Sequence, residues 1–181
     1  MIYESSYWKE PLLAAADFLS TIRIDEEDSD DDLARVEREI LIGFYSVRKL
    51  LDTFKVSSST KTMNFGLRYF EIEAGRQVDY FNRWEVDELF NLERPLSETR
   101  DLSFLCNQFV HSYIHVFEID KSQAIEGVFV ASDRARSDRL YFVSREQIVR
   151  IFRAVGNDYS ASQRYHRNAE TGQWQVGDAE T

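Results

Sequence analysis

One apolar stripe constrains the fold of this chain more than any other feature of its sequence. Apolar residues recur at intervals of three and four positions, at Leu33, Val36, Ile40, Phe44, Val47, Leu51 and Phe54. This period is typical of an α-helix with one buried face, so the sequence predicts a helix over about 32–55. A helix of about six turns must bury such a face against other elements, and we therefore expect the core to form around it.

The chain on the N-terminal side of this stripe predicts a second helix, over about 7–22. Its apolar positions have the same spacing, and Pro11 falls in the first turn, where proline is tolerated. The apolar positions are Trp8, Leu12, Leu13, Ala16, Leu19 and Ile22.

After position 62 the period changes, because apolar residues alternate as they do in half-buried strands. We predict strands over 62–75, 78–81, 112–118, 127–132 and 139–143, and a hairpin over 163–176 that turns at 170–172. Short helices are expected over 83–92, with Asn82 as N-cap and Trp84 buried, and over 98–111. A further helix begins with a capping box of Ser144 and Gln147 and ends at Gly156 as a left-handed cap.

These elements predict an α+β protein formed as a single domain over 1–181. A helical N-terminal third, made of two helices, packs with a small antiparallel sheet and later short helices. The length suits one domain, and no apolar run is long enough to span a membrane. We therefore expect a cytoplasmic protein that does not associate with membranes. The single cysteine, Cys106, excludes an internal disulfide and is expected to be a buried thiol.

An acidic run connects the two predicted N-terminal helices and accounts for most of the net charge of −10. We interpret 25–32 as a flexible connector, because like charges repel one another and stay solvated. Two alternatives are an acidic surface that docks on a basic partner and a divalent-cation site, although the run lacks the glycine and the spaced glutamate of an EF-hand. Its carboxylates are Asp25, Glu26, Glu27, Asp28, Asp30, Asp31 and Asp32.

The charge also argues against nucleic-acid binding, which depends on neutralising phosphates. Arginines are frequent from position 134 to position 153, but acidic residues interleave with them and no aromatic stacking platform lies beside them in the sequence. His111 and His115 are four positions apart, yet no third metal ligand has suitable spacing. We expect both imidazoles on one half-buried face beside Tyr113, with local hydrogen bonds, and we expect neither a metal nor a cofactor.

The stretch from Cys106 to His111 ends a predicted helix with an asparagine followed four residues later by a histidine. This pattern resembles the motif of HEPN domains, in which an arginine, often followed by asparagine, precedes a histidine. The resemblance implies a helical, commonly dimeric, metal-independent ribonuclease or a nucleotide-binding domain, with Asn107 and His111 at the matching positions. His111 would then act as general acid or base. Cys106 occupies the place of the family's arginine.

No constellation typical of a known catalytic mechanism otherwise emerges, so the sequence favours a binding protein over an enzyme. The acidic run and the many aromatic residues suit recognition of a basic protein partner. We expect an inhibitor, immunity or accessory protein of a bacterial toxin or defence system. A divergent HEPN-like ribonuclease is the alternative, and association of the chain with itself stays open. An open cleft that joins His111 to an arginine from elsewhere would favour the alternative, and a buried His111 would oppose it.

Overall fold

The computed structural model describes residues 2–24, 29–159 and 163–178. It confirms the α+β class, with two long N-terminal helices followed by an antiparallel sheet and shorter helices. The helices are α1 (Ser6–Thr21), α2 (Ser29–Leu51), α3 (Ser58–Lys61), α4 (Val86–Leu89), α5 (Leu102–Val110) and α6 (Arg145–Gly156). The strands are β1 (Asn64–Glu71), β2 (Leu96–Asp101), β3 (Ser112–Ile119), β4 (Ile125–Ser132), β5 (Arg139–Ser144), β6 (Gln163–Arg167) and β7 (Trp174–Asp178).

Five strands form one antiparallel sheet in the order β2-β1-β5-β4-β3, and β6 pairs with β7 in a separate hairpin. Both faces of the large sheet are covered. Along β4, Val128 and Val130 belong to a core shared with the helices, whereas Phe129 and Ala131 belong to a core on the opposite face. This two-sided burial explains why β4 is almost continuously apolar.

The helical side of the sheet holds the stripe that the sequence identified. Val36, Ile40, Phe44 and Val47 of α2 are buried, and the ring of Phe44 stacks on that of Phe109 with 3.9 Å between centroids. Burial of such side chains is the main favourable contribution to folding. No helix in the described residues is long and apolar enough to cross a membrane.

The opposite face is covered by the segment between β1 and β2, which contains α4. Val78, Val86, Leu89 and Phe90 from this segment pack with the sheet residues of the second core. Within this segment Val78 and Val86 are buried and therefore fixed, and residues 79–85 between them lie on the surface.

The predicted start of α6 is confirmed, since Ser144 and Gln147 form both hydrogen bonds of a capping box. Its predicted end is wrong. Gly156 is still helical and Asn157 is the C-cap. A Cβ at position 156 would lie 2.6 Å from the side chain of Leu13, so glycine is needed there for close packing of α6 on α1.

Several other local predictions are also wrong. Residues 78–81 are not a strand, since 78–79 have no regular structure and a turn begins at position 80. Helix α4 is a single turn that starts after Glu85, so Asn82 is not its cap. Trp84 is exposed. Residues 98–101 belong to β2, which ends where α5 begins, and β1 ends at position 71. The connector is shorter than predicted, because residues 29–32 form the first turn of α2.

Candidate functional site

The C-terminal end of α5 forms one wall of a cleft of about 550 Å³. The helix has only nine residues. Asp101 caps its start, accepting a hydrogen bond from the Phe104 amide at 2.7 Å, and the helix ends at His111, just before β3. The turn between β4 and β5 supplies the other wall. The lining residues are Phe104, Asn107, Gln108, His111, Ser132, Asp133, Arg134 and Ala135.

The cleft brings together Asn107 and His111, the two residues of the HEPN-like motif. His111 is exposed, not half-buried as expected, and its carbonyl accepts a hydrogen bond from the Asp133 amide at 3.0 Å. This bond fixes the β4–β5 turn against the end of α5. Arg134, which the turn carries, lines the same cleft and makes no ion pair with another described residue. A cleft that holds His111 and an arginine from a distant position therefore exists.

A second arginine reaches Asn107 from α2. The Arg48 Nε atom donates to Asn107 Oδ1 at 3.3 Å, and Arg48 also forms an ion pair with Asp52 at 2.5 Å. The Asn107 side chain is thereby oriented, because its oxygen accepts from Arg48 and its amide nitrogen must point elsewhere.

The floor of the cleft contains two buried polar side chains. Gln108 Oε1 accepts from the Ser132 amide at 3.0 Å, which fixes the orientation of the glutamine because an amide N–H can only donate. Neither Gln108 Nε2 nor Ser132 Oγ has a hydrogen-bond partner among the described residues, and both residues are more than nine-tenths buried. Neither atom is itself fully buried, so both are open to the cleft, where water or a ligand can complete their hydrogen bonds.

His115 lies apart from this cleft. Its side chain is only 8% exposed beneath α2, and it contacts the ring of Phe117 with 5.1 Å between centroids. Neither ring nitrogen has a hydrogen-bond partner, and Nδ1 is 3.8 Å from Glu37 Oε1. Burial lowers the pKa of His115 to about 4. The expected shared histidine face is therefore wrong. The described residues also contain no group of three metal-ligating side chains.

Cys106 is buried as expected. Burial raises the pKa of its thiol to about 12, and the nearby charge of Arg48 only partly opposes that rise. A thiol with such a pKa is not ionised near neutral pH and is a poor nucleophile.

The acidic residues proposed for partner binding divide into two groups. Asp30, Asp31 and Asp32 lie in the first turn of α2, where carboxylates interact favourably with the helix dipole. Asp25, Glu26, Glu27 and Asp28 lie outside the described residues.

An exposed aromatic loop, which was not predicted from the sequence, lies between Val78 and Val86. Tyr80, Phe81 and Trp84 are 60%, 78% and 53% exposed. Their backbone is held by reciprocal bonds, because Asp79 Oδ1 accepts from the amide of Phe81 at 2.7 Å and Asn82 Oδ1 accepts from that of Asp79 at 2.8 Å. The Asp-x-x-Asn spacing was the available signal, since such side chains stabilise turns.

A chain of arginine–aromatic contacts connects this loop to the cleft. The Arg83 guanidinium lies 4.7 Å from the ring centre of Tyr80 and 5.6 Å from that of Tyr113. Arg136 lies 3.9 Å from the Tyr113 ring centre and pairs with Asp133 at the cleft. The fold thus builds the arginine–aromatic surface that is absent from the linear sequence.

Comparison with known proteins adds no family to this description. No family model, no curated protein and no solved structure matches the chain. The fold and the two surfaces therefore define an α+β protein with a polar cleft and an adjoining aromatic loop.

Proposed function

We propose that this chain is a protein-binding module that docks on its partner through the aromatic loop. The single observation that carries the proposal is the exposure of Tyr80, Phe81 and Trp84 on a backbone fixed at both ends. Large exposed aromatic groups are costly in water, and they are common among the residues that dominate binding energy at protein interfaces.

The fixed backbone strengthens the proposal. Ordering a loop on binding costs free energy, so a loop that is already ordered in the free protein retains more of its contact energy as affinity. The hydrogen bonds of Asp79 and Asn82, and the buried ends at Val78 and Val86, supply this order.

Charge supports a basic partner. The chain carries a net charge of −10, and Asp30 and Asp31 are exposed at the start of α2. Complementary charge accelerates association and discriminates against acidic competitors. Proteins that act on nucleic acid are commonly basic, because they neutralise phosphates, and one of them would suit this charge. The specific role that we propose is that of an inhibitor, immunity or accessory protein of a bacterial toxin or defence system in the cytoplasm.

The experiment compares the wild type with a variant carrying Tyr80→Ser, Phe81→Ser and Trp84→Ser. Each is used as bait in cell lysate at low and high salt, and a retained protein is purified and titrated directly by calorimetry. We expect the variant to bind at least about 100-fold more weakly, because each of the three truncated anchor residues contributes about 1–2 kcal/mol.

A matched control carries Tyr3→Ser and Tyr7→Ser, since these tyrosines are 94% and 80% exposed outside the loop. Its affinity should stay within about two-fold of the wild type, a difference of about 0.4 kcal/mol. Equal loss of affinity in both variants, or full affinity in the loop variant, would contradict docking through this loop.

One observation favours the second candidate, a divergent HEPN-like ribonuclease. Asn107 and His111 line an open cleft with Arg134, which could supply the positive charge that Cys106 cannot. Cleavage of a labelled single-stranded RNA in the presence of EDTA tests this candidate. We expect His111→Ala to abolish cleavage and Arg94→Ala, which removes a charge outside the cleft, to preserve it. Absence of cleavage by the wild type would refute it.

A further inference from the structure

The polar groups of the cleft form a set dominated by hydrogen-bond donors. Gln108 Nε2 is fixed by the bond that its oxygen accepts and has no partner among the described residues, and Asn107 is oriented by Arg48 with its amide nitrogen free to donate. Arg134 adds a guanidinium with up to five donors. Such a set is complementary to an oxygen-rich acceptor.

The formal charge around the cleft also suits an anion. The only carboxylate in the lining, that of Asp133, is paired with Arg136 at 3.1 Å, and Arg134 makes no ion pair with a described residue. The cleft volume of about 550 Å³ lies within the range of small-molecule sites, and Phe104 and Ala135 provide apolar contact beside the donors.

We propose that this cleft binds a small organic oxyanion, a phosphate or carboxylate attached to an apolar group, through Arg134, Asn107 and Gln108. Gln108 binds from the floor, where a ligand oxygen satisfies its Nε2 donors. Arg134 binds from the rim and supplies the charge. The proposal is independent of docking through the aromatic loop. It shares the cleft with the ribonuclease candidate but requires no turnover.

The test uses three probes that share one ring: phenyl phosphate, benzoate and the neutral benzyl alcohol. Binding is measured by calorimetry, and the side-chain amide signals of Gln108 and Asn107 are followed by NMR in the full chain. We expect binding of at least one of the two anions, with shifts of both amide signals, and no binding of the alcohol. The preferred anion identifies phosphate or carboxylate as the ligand group.

Two charge-removing variants make the test specific. Arg134→Ala should weaken anion binding about ten-fold or more, as expected for loss of a charge-assisted hydrogen bond. Arg94→Ala removes an exposed arginine outside the cleft and should leave affinity unchanged within about two-fold. Equal weakening by both variants would indicate non-specific attraction and overturn the proposal. Absence of binding by both anions, or equal binding of the alcohol, would also overturn it, whether or not the protein cleaves RNA.

Discussion

His115 should make this protein less stable in mild acid. The imidazole is buried among the rings of Phe109 and Phe117, and its two nitrogens have no hydrogen-bond partner in the described structure. Burial lowers its pKa from 6.5 to about 4, so the folded state strongly favours the neutral ring. The unfolded chain binds the proton more readily, and stability must fall as pH decreases through 6.5 towards 4.

The magnitude follows from the two pKa values. Linkage between protonation and folding gives a loss of about 2 kcal/mol from pH 7 to pH 5, and about 3 kcal/mol once the pH falls below both values. Glu37, 3.8 Å from the ring, would stabilise a charged imidazole, but its side chain is 52% exposed and solvent screens the interaction. The stability that the neutral His115 ring contributes is fully present above pH 6.5 and is lost as the pH falls from 6.5 towards 4.

The assay is urea unfolding, followed by circular dichroism, at pH 7 and pH 5 for the wild type and His115→Leu. The difference between the two proteins cancels the titration of the carboxylates that they share. We expect the wild type to lose about 2 kcal/mol more than His115→Leu over this interval. At pH 7 the variant should be at least as stable, because it removes two buried nitrogens without partners.

His111→Leu provides the matched control, since His111 is exposed at the cleft. This variant should retain the acid sensitivity of the wild type. Parallel pH profiles for the wild type and His115→Leu would refute the reasoning, because they would show that His115 does not titrate differently in the folded and unfolded states.

Three further predictions concern the core and the sheet. Gly43→Ala should destabilise the protein by about 1–3 kcal/mol in urea unfolding, because the added methyl overlaps the Phe152 ring, whereas Gly66→Ala, with open space around it, should not create such a clash. Cys106 should resist thiol reagents in the native protein and react rapidly in urea, and rapid native labelling would contradict its burial. Glu98→Gln should cost about 1–3 kcal/mol, because its carboxylate accepts hydrogen bonds from two arginines and a tyrosine, and the exposed Glu93→Gln should be neutral in the same assay.

Local signals account for the elements that the sequence predicted correctly. The stripe on α2 and the Ser144–Gln147 capping box depend on residues within one or two turns, so distant contacts were not needed to recognise them. The apolar, β-branched stretch of β4 was equally recognisable, because a strand buried on both faces is apolar throughout.

Strand β2 shows where such signals fail. Its residues, Leu96–Asp101, are mostly polar and exposed, and the helix predicted over 98–111 from the apolar residues of 102–110 extended into it. The segment is a strand because it pairs with β1, from Tyr69 opposite Leu96 to Asn64 opposite Asp101. Tertiary pairing can override local preference, since each backbone group gains a hydrogen-bond partner from the neighbouring strand.

The sequence by itself determined the α+β class, the main helices, the buried thiol and the pair Asn107–His111 at the end of one helix, because each follows from residues close together in the chain. Only the tertiary structure decided that Arg134 and Gln108 share a cleft with that pair, that His115 is buried elsewhere, and that Arg136 packs on Tyr113. These features join residues more than 20 positions apart, or depend on which face of an element is covered. Contacts of that kind are set by packing, and local periodicity carries no information about them.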